Sequence, residues 1–281
     1  MDNNEKIQEF KRIIEESNNI VFFGGAGVST ESGIPDFRST NGLYNQEYDY
    51  PPEQILSHTF FVQKPEEFYR FYRKKILIDA VEPNITHKKL AELEAKGKLK
   101  AVITQNIDGL HQKAGSKEVY EVHGTVAKNY CTKCHKFFDG DAVQRLIDED
   151  CERLLDAGEN VPYERKAAVK TAELSARKAS AGGKRRFGIP HCDECGSIIK
   201  PDVVLYEEGL DDYVWNKSCE YIKNADVLIV GGTSLVVYPA AGLINYYRGN
   251  KLILINKSAT EYDKYANLVL NVGLGEVFSQ I

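Results

Sequence analysis

Four short runs of this 281-residue chain, 20–23, 99–104, 227–230 and 251–255, are apolar on both of their alternating faces. A strand tolerates that pattern only where both faces are covered, as inside a parallel sheet with helices above and below it. Segments of helical spacing alternate with the runs. Residues 5–17 carry Ile7, Phe10, Ile13 and Ile14 on one face, 66–78 is strongly helical, and 85–96 buries Leu90 and Leu93 before Gly97 closes it. Residues 119–122 form a further strand candidate, and 41–62, rich in Tyr, Pro and Asn, reads as loop-dominated. The expected fold class is α/β, a doubly wound parallel sheet. Ligands of such sheets bind beyond the carboxyl ends of the strands. Phe23/Gly24, Thr104/Gln105, Val230/Gly231 and Ile255/Asn256 are such ends.

The first run empties into Gly25-Ala26-Gly27-Val28-Ser29-Thr30, and the chain continues through Gly33-Ile34-Pro35-Asp36-Phe37-Arg38. Gly25 and Gly27 lack a Cβ, so the backbone can turn tightly and approach a phosphate. A helix opened by 29–32 would aim its free N–H groups and positive dipole end at that phosphate. The usual dinucleotide fingerprint is not met, because Thr30 stands at the third glycine position. Alone, the run reads equally as a tight strand-to-helix turn. Asp36, Phe37 and Arg38 add a carboxylate, an aromatic face and a guanidinium, a set suited to a ribose, a planar ring and a pyrophosphate.

Two further stretches follow strands. In Gln105-Asn106-Ile107-Asp108 the amides and carboxylate can orient a carboxamide and a ribose, or cap the next helix. His123-Gly124 ends the 119–122 run, and an imidazole titrates close enough to neutral pH to serve as a general base. The glycine stretch with its Asp-Phe-Arg, the Gln-Asn-Ile-Asp run and the His-Gly pair, in this order, resemble the sirtuin family. The resemblance implies a Rossmann-like NAD-binding domain and a smaller zinc-ribbon plus helical domain. Its implied reaction is NAD-dependent removal of acetyl or another neutral acyl group from protein lysines, with nicotinamide and O-acyl-ADP-ribose as products. It implies His123 as the base, Asn106 holding ribose and water, Asp108 the nicotinamide carboxamide, and Arg38 the loop and phosphates. Gly42-Leu43-Tyr44 resembles the family's cofactor-covering loop, Gly232-Thr233-Ser234 its adenosine-side loop, and Asn256-Lys257 the pair near the adenine ribose. Gly273-Leu274 matches a last adenine contact loosely. Val203-Val204-Leu205-Tyr206 resembles the strand that pairs with the acyl-lysine peptide, although many relatives have an aromatic at Leu205 and a glycine at Glu207. Relatives that remove acidic acyl groups carry a Tyr-x-x-Arg pair; here Tyr72 follows Tyr69 at that spacing, and Arg73 lies one residue further on. His111, His58 and His87 read as packing residues.

Cys131-Thr132-Lys133-Cys134 and Cys192-Asp193-Glu194-Cys195 are two knuckles whose four thiolates close a tetrahedral zinc site with no open position, so the metal is structural. His135 and His191 flank them as alternative ligands, and Cys151 and Cys219 read as buried thiols. Between the knuckles the chain interposes roughly three times the usual sequence. The insertion, about 141–188, reads as helical, with Val143, Leu146, Ile147, Leu154 and Leu155 as its buried stripe. Lys184-Arg185-Arg186 ends it in a basic cluster. That insertion is either a solvated helical hairpin or excursion, or a docking surface for an acidic partner or for nucleic acid. The resulting domain plan is 1–40, 84–128 and 200–281 for the NAD-binding domain, 41–83 for a helical and cofactor-loop module, and 129–199 for the zinc module.

A formal net charge of -5 argues against bulk nucleic-acid binding. Residues 1–17 are charged and amphipathic, unlike a secretory leader. The apolar stretch 225–244 contains Asp226, a glycine pair and Pro239, so it reads as strand, loop and helix rather than a membrane span. A cytoplasmic protein is expected. Two other readings stay open: ADP-ribosyl transfer or NAD hydrolysis at the same site, and a non-enzymatic NAD-sensing protein that docks through the basic insertion.

Overall fold

The computed structural model describes residues 2–37, 39, 42, 48–77, 80–161 and 186–281. Arg38, Leu43, Tyr44 and the insertion residues 162–185, with Lys184 and Arg185 among them, lie outside the described residues. The strands are β1 (Ile20–Gly24), β2 (Leu99–Thr104), β3 (Val119–Glu121), β4 (Gly124–Cys131), β5 (Phe137–Asp139), β6 (Ile199–Val203), β7 (Val227–Gly231), β8 (Lys251–Ile255) and β9 (Leu268–Leu270). The chain divides into two compact units, 1–47 with 80–125 and 209–281, and 48–79 with 126–208.

The first unit is built on a six-stranded sheet of order β3-β2-β1-β7-β8-β9. Its neighbours all pair in parallel. Every residue of β1 and β7 is buried, as doubly covered strands require. One face packs Phe10, Ile14, Leu90, Val277 and Phe278 against Phe22, Val102 and Ile229. The other packs Ile222, Leu243 and Ile244 against Phe23, Leu228 and Val230. The order reverses between β1 and β7, and the carboxyl ends of strands at such a reversal are the usual ligand position in this architecture. Helix Asn3–Glu16 opens with an Asp2–Glu5 capping box, and Ile85–Ala95 opens with Asn84 and His87 in the same arrangement.

Two expectations for this unit are corrected. Residues 29–32 do not open an α-helix: Ala26–Val28 and Thr30–Ser32 are separate 3-10 turns. Gly33, at φ 91°, ends the second one before Pro35. Strand β9, which had no counterpart in the sequence reading, adds three residues at the sheet edge.

The second unit carries a three-stranded sheet of order β5-β4-β6 and an aromatic core. Phe61, Phe68, Tyr69 and Tyr72 meet edge to face or stacked, with centroids 5.0 to 6.2 Å apart. Residues 200–208 cluster here and not with the first unit, because β6 is a strand of this sheet. The segment read as loop-dominated contains helices Pro52–Ile55 and His58–Gln63, the latter capped by Ser57, and each buries apolar side chains. The helix expected over 66–78 is α-helical over Pro65–Phe71 and then widens to a π-turn, Tyr72–Ile76. In the insertion, helix Gly140–Asp156 buries Val143, Ile147, Cys151 and Leu154. Leu155 is exposed and Leu146 half-buried, because the stripe recurs at steps of four, four and three. The returning chain docks on this helix: the Gly188 N–H donates to Cys151 Sγ at 3.2 Å, and a Cβ at Gly188 would lie 2.3 Å from the Ile147 carbonyl oxygen. Arg186 pairs with Glu66 at 2.6 Å. Among the described residues no helix is long and apolar enough to cross a membrane.

Candidate active site and metal centre

The glycine loop after β1 is locked to the loop after β7. The N–H groups of Gly25 and Gly27 donate to the carbonyls of Gly231 and Gly232 at 3.2 and 2.8 Å. A Cβ on Gly25 would lie 2.8 Å from Thr233 Cβ, and one on Gly27 2.7 Å from Gly232 Cα. These glycines are therefore demanded by the contact of two protein loops, whatever ligand they also approach. Thr30 bonds back to the Gly27 carbonyl at 3.0 Å. Asp36 accepts the Ser39 N–H at 2.8 Å, fixing the turn that holds Phe37 half-buried.

Behind this loop lies a polar relay. Ser29, 1% exposed, donates to Asp108 Oδ2 at 2.6 Å and accepts from Asn106 Nδ2 at 3.0 Å. The other Asp108 oxygen accepts the Leu110 N–H at 2.9 Å. Asn106 is 8% exposed, its N–H is fixed by Thr104 Oγ1 at 3.0 Å, and its carbonyl oxygen has no partner among the described residues. Gln105 ties β2 to the loop after β7, donating from Nε2 to Thr233 Oγ1 at 2.9 Å. Its backbone carbonyl sits 3.1 Å from His123 Nδ1. A carbonyl only accepts, so Nδ1 carries the proton and Nε2 is left as the basic nitrogen. Burial pushes the His123 pKa below its ordinary value, against the opposing effect of that hydrogen bond. The imidazole is thus neutral and ready to take a proton. Ile107 is half-buried between these groups.

On the far side of the sheet reversal, Asn256 Oδ1 accepts the Thr233 N–H at 2.9 Å, while its Nδ2 is buried with no hydrogen-bond partner. An orphaned donor at the carboxyl end of a parallel strand fits a ligand hydroxyl. Ser234 and Lys257 are exposed and Leu274 is buried.

Three supporting residues escaped the sequence reading. Asn84 Nδ2 holds the glycine loop from beneath, donating to the Val28 carbonyl at 2.7 Å and Ser32 Oγ at 3.0 Å. Glu31 accepts the Gly275 N–H at 3.1 Å and so ties that loop to the last helix. Thr104 positions Asn106. Of these, only Asn84 had a signal, as a helix cap before 85–96. His87 and His111 are packing residues as expected, with ring centroids 4.7 Å apart. Burial lowers their pKa values to about 4 and about 3.

In the second unit, Val203 and Leu205 are buried, Val204 half-buried and Tyr206 exposed. Tyr69 donates its hydroxyl to the Ile199 carbonyl. Arg73, 5% exposed, binds Asp148 through Nε and Nη2 at 3.0 and 3.1 Å. The four cysteine sulfurs Cys131, Cys134, Cys192 and Cys195 lie within 4.8 Å of one another. The closest pairs are Cys131–Cys195 at 3.3 Å and Cys134–Cys192 at 3.6 Å. Thiolates about 2.3 Å from one tetrahedral ion are about 3.8 Å apart, so the donor set fits a metal. Neither flanking histidine joins the cluster. His135 occupies a left-handed turn at φ 60°, the place Gly196 takes at φ 70° in the second knuckle, and His191 Nδ1 is at 3.0 Å from the Gly196 carbonyl.

A profile described as the Sir2 family matches residues 25–239. A protein of Clostridium acetobutylicum named NAD-dependent protein deacetylase is 52% identical over 99% of this chain and 98% of its own length. Proteins of the same name from Clostridium perfringens and Cutibacterium acnes are 51% and 43% identical, over 99% and 95% of this chain and 98% and 94% of their own lengths. Among solved structures, Sir2 with a deacetylated peptide and 3'-O-acetyl ADP ribose is 35% identical. It has a TM-score of 0.77 and covers 98% of this chain and 96% of that one. Sir2 bound to acetylated peptide is 34% identical at a TM-score of 0.75, with the same coverage.

Proposed function

The chain belongs to the Sir2 family and is an NAD-dependent protein deacetylase, and from that premise we propose how its residues divide the work. NAD, when bound, supplies the ribose carbon that takes up the acyl oxygen as nicotinamide departs, and the acyl group leaves on ADP-ribose. His123 removes a proton from a ribose hydroxyl through Nε2, since Nδ1 is held by the Gln105 carbonyl. Asn106, with its carbonyl oxygen free and its amide fixed on Ser29, orients the ribose and the water that completes the reaction. Asp108 receives the nicotinamide carboxamide. Gly25, Ala26, Gly27, Ser29, Thr30, Asp36 and Phe37 form the phosphate side, with Arg38 and Tyr44 assigned there by resemblance alone. Gly232, Thr233, Ser234, Asn256, Lys257 and Leu274 take the adenosine, and the orphaned Nδ2 of Asn256 suits a ribose oxygen.

The observation that carries this reading is the single bond from His123 to Gln105, which fixes the tautomer and leaves the base free. Acyl-lysine peptides are the substrate class, supported by solved relatives with acetylated and propionylated peptides. Val203, Val204, Leu205 and Tyr206 are the peptide-pairing stretch. A neutral acyl group suits the site, because the Arg73 guanidinium is spent on Asp148. The four cysteines hold zinc, which braces the knuckles and leaves no position for chemistry. Four reduced thiols fit a cytoplasmic setting. Neither ADP-ribosyl transfer nor a docking role for the basic insertion, including an acidic partner there, draws support from the relatives.

The test is nicotinamide release from NAD with and without an acetyl-lysine peptide, for the wild type and His123→Ala. Peptide-dependent release that vanishes in the variant, with deacetylated peptide as product, is the expected result. Release that ignores the peptide would replace this reading with NAD hydrolysis or transfer.

A further inference from the structure

Glu207 stands where the turn geometry asks for glycine. Beyond β6 the chain passes Val204 and closes a β-turn, the Glu208 N–H donating to the Leu205 carbonyl at 3.0 Å. Glu207 is the third residue of that turn, at φ 79°, the left-handed conformation that type II turns give to glycine or asparagine. The strained residue is held by its own side chain. Its carboxylate accepts the Thr59 N–H at 2.8 Å, in the first turn of helix His58–Gln63. A conformational outlier that persists is a pointer to function.

The neighbouring main chain is already committed. The Leu205 N–H donates to Glu208 Oε2 at 2.9 Å. Tyr206 donates to the Leu56 carbonyl at 2.9 Å and accepts the His58 N–H at 3.0 Å. The Val203 carbonyl accepts from Lys200 at 3.0 Å. Val204, half-buried, keeps an N–H and a C=O without a partner among the described residues. The charge of Glu208 is balanced by Lys200 Nζ at 3.0 Å and faces His58 Nδ1 at 2.8 Å. Glu207 is exposed and has no cation within ion-pair distance among the described residues.

Resting on the deacetylase reading above, we propose that Val204 offers its backbone N–H and C=O to the substrate peptide. Glu207, three residues on, then makes the enzyme select peptides with a cationic residue beside the acyl-lysine. The acyl-lysine carries no charge of its own, so a neighbouring arginine or lysine is the feature a fixed carboxylate can read. The preference is modest, since exposed charge pairs contribute little, and salt weakens it.

Acetyl-lysine peptides that differ only in Arg, Gln or Glu beside the acetyl-lysine test this. Turnover and fluorescence-anisotropy binding are measured for wild type, Glu207→Gly and Glu207→Gln at two salt concentrations. Glu207→Gly relieves the turn, and Glu207→Gln keeps an acceptor for Thr59. The wild type is expected to favour Arg over Glu by about fivefold in kcat/KM, through KM and less so at high salt. Both variants bring the ratio close to one. A ratio within one enzyme cancels any general loss of activity. An unchanged ratio in both variants overturns the assignment. A charge preference in binding without turnover of any peptide would leave it standing and remove the deacetylase reading. Neither binding nor turnover overturns both.

Discussion

Gly27 donates its N–H to the Gly232 carbonyl at 2.8 Å, and a Cβ on either residue would come within 2.7 Å of the other's backbone. Two loops from distant parts of the sequence thus touch main chain to main chain. Gly27→Ala must push them apart. A loss of about 1–3 kcal/mol is expected from overpacking, together with NAD binding weaker by at least about tenfold. Chemical denaturation and calorimetric titration with NAD measure the two effects. Wild-type affinity in a destabilised variant would show that the contact is structural only.

His123 is neutral because burial lowers its pKa from the ordinary 6.5. A base works only when unprotonated, so activity should hold as pH falls to about 6.5 and decline below it. The acidic limb of kcat/KM against pH is the measurement. A midpoint clearly above 6.5 would mean that another group limits the rate.

His87 and His111 carry pKa values of about 4 and about 3 in the folded protein, against 6.5 for an ordinary histidine. Well above pH 6.5 both states hold these rings neutral, and stability is independent of them. As pH falls below 6.5 the unfolded chain takes up protons that the native core refuses, so stability is lost progressively toward the folded values. The loss is on the order of a few kcal/mol. Urea midpoints for the wild type should fall more steeply from about pH 7 to about pH 4.5 than those of His111→Leu.

Arg73 is committed to Asp148, so succinyl-lysine peptides should turn over at least about tenfold more slowly than acetyl-lysine peptides of the same sequence. Arg73→Met leaves Asp148 uncompensated and should cost about 3 kcal/mol. Competition between the two peptides in one reaction, read by mass spectrometry, gives the ratio directly. Equal turnover would send the search for an acyl-recognising cation elsewhere.

Zinc removal should act on structure first. A strong chelator, or Cys134→Ser, is expected to take metal content from one zinc per chain to none and to expose the backbone around both knuckles. Hydrogen exchange at β4 and β6 reads this. Full protection in metal-free protein would make the ion dispensable for the fold.

The parallel sheet was legible because burial on both faces writes itself into composition. The ends of β1, β2, β7 and β8 fall where their apolar runs stop. The helices Asn3–Glu16 and Ile85–Ala95 were legible from periodicity and a terminal glycine. Pro52–Ile55 and His58–Gln63 were not, since each is too short to show a period, and each is held by a few buried side chains, Pro52 and Ile55 in the first and Phe60 and Phe61 in the second. At the candidate site, residue types pointed to His123, Asn106 and Asp108 as candidates. That Ser29 joins Asn106 to Asp108, or that Gly25 and Gly27 serve a loop contact, depends on pairings some eighty to two hundred residues apart. No local pattern records such pairings. Glu207 was visible as a departure from its relatives, but its left-handed backbone was not.

The central strand β1 finds one neighbour in β2 and the other in β7. During synthesis at about 5–20 residues per second, the glycine loop therefore waits roughly ten to forty seconds for Gly232 to emerge. Until then β1 exposes one hydrogen-bonding edge and an apolar surface to the cell. The nascent chain spends that interval without a nucleotide site, as a natural client for chaperones, and a chain truncated before β7 would be recognised for disposal rather than survive as a partial enzyme.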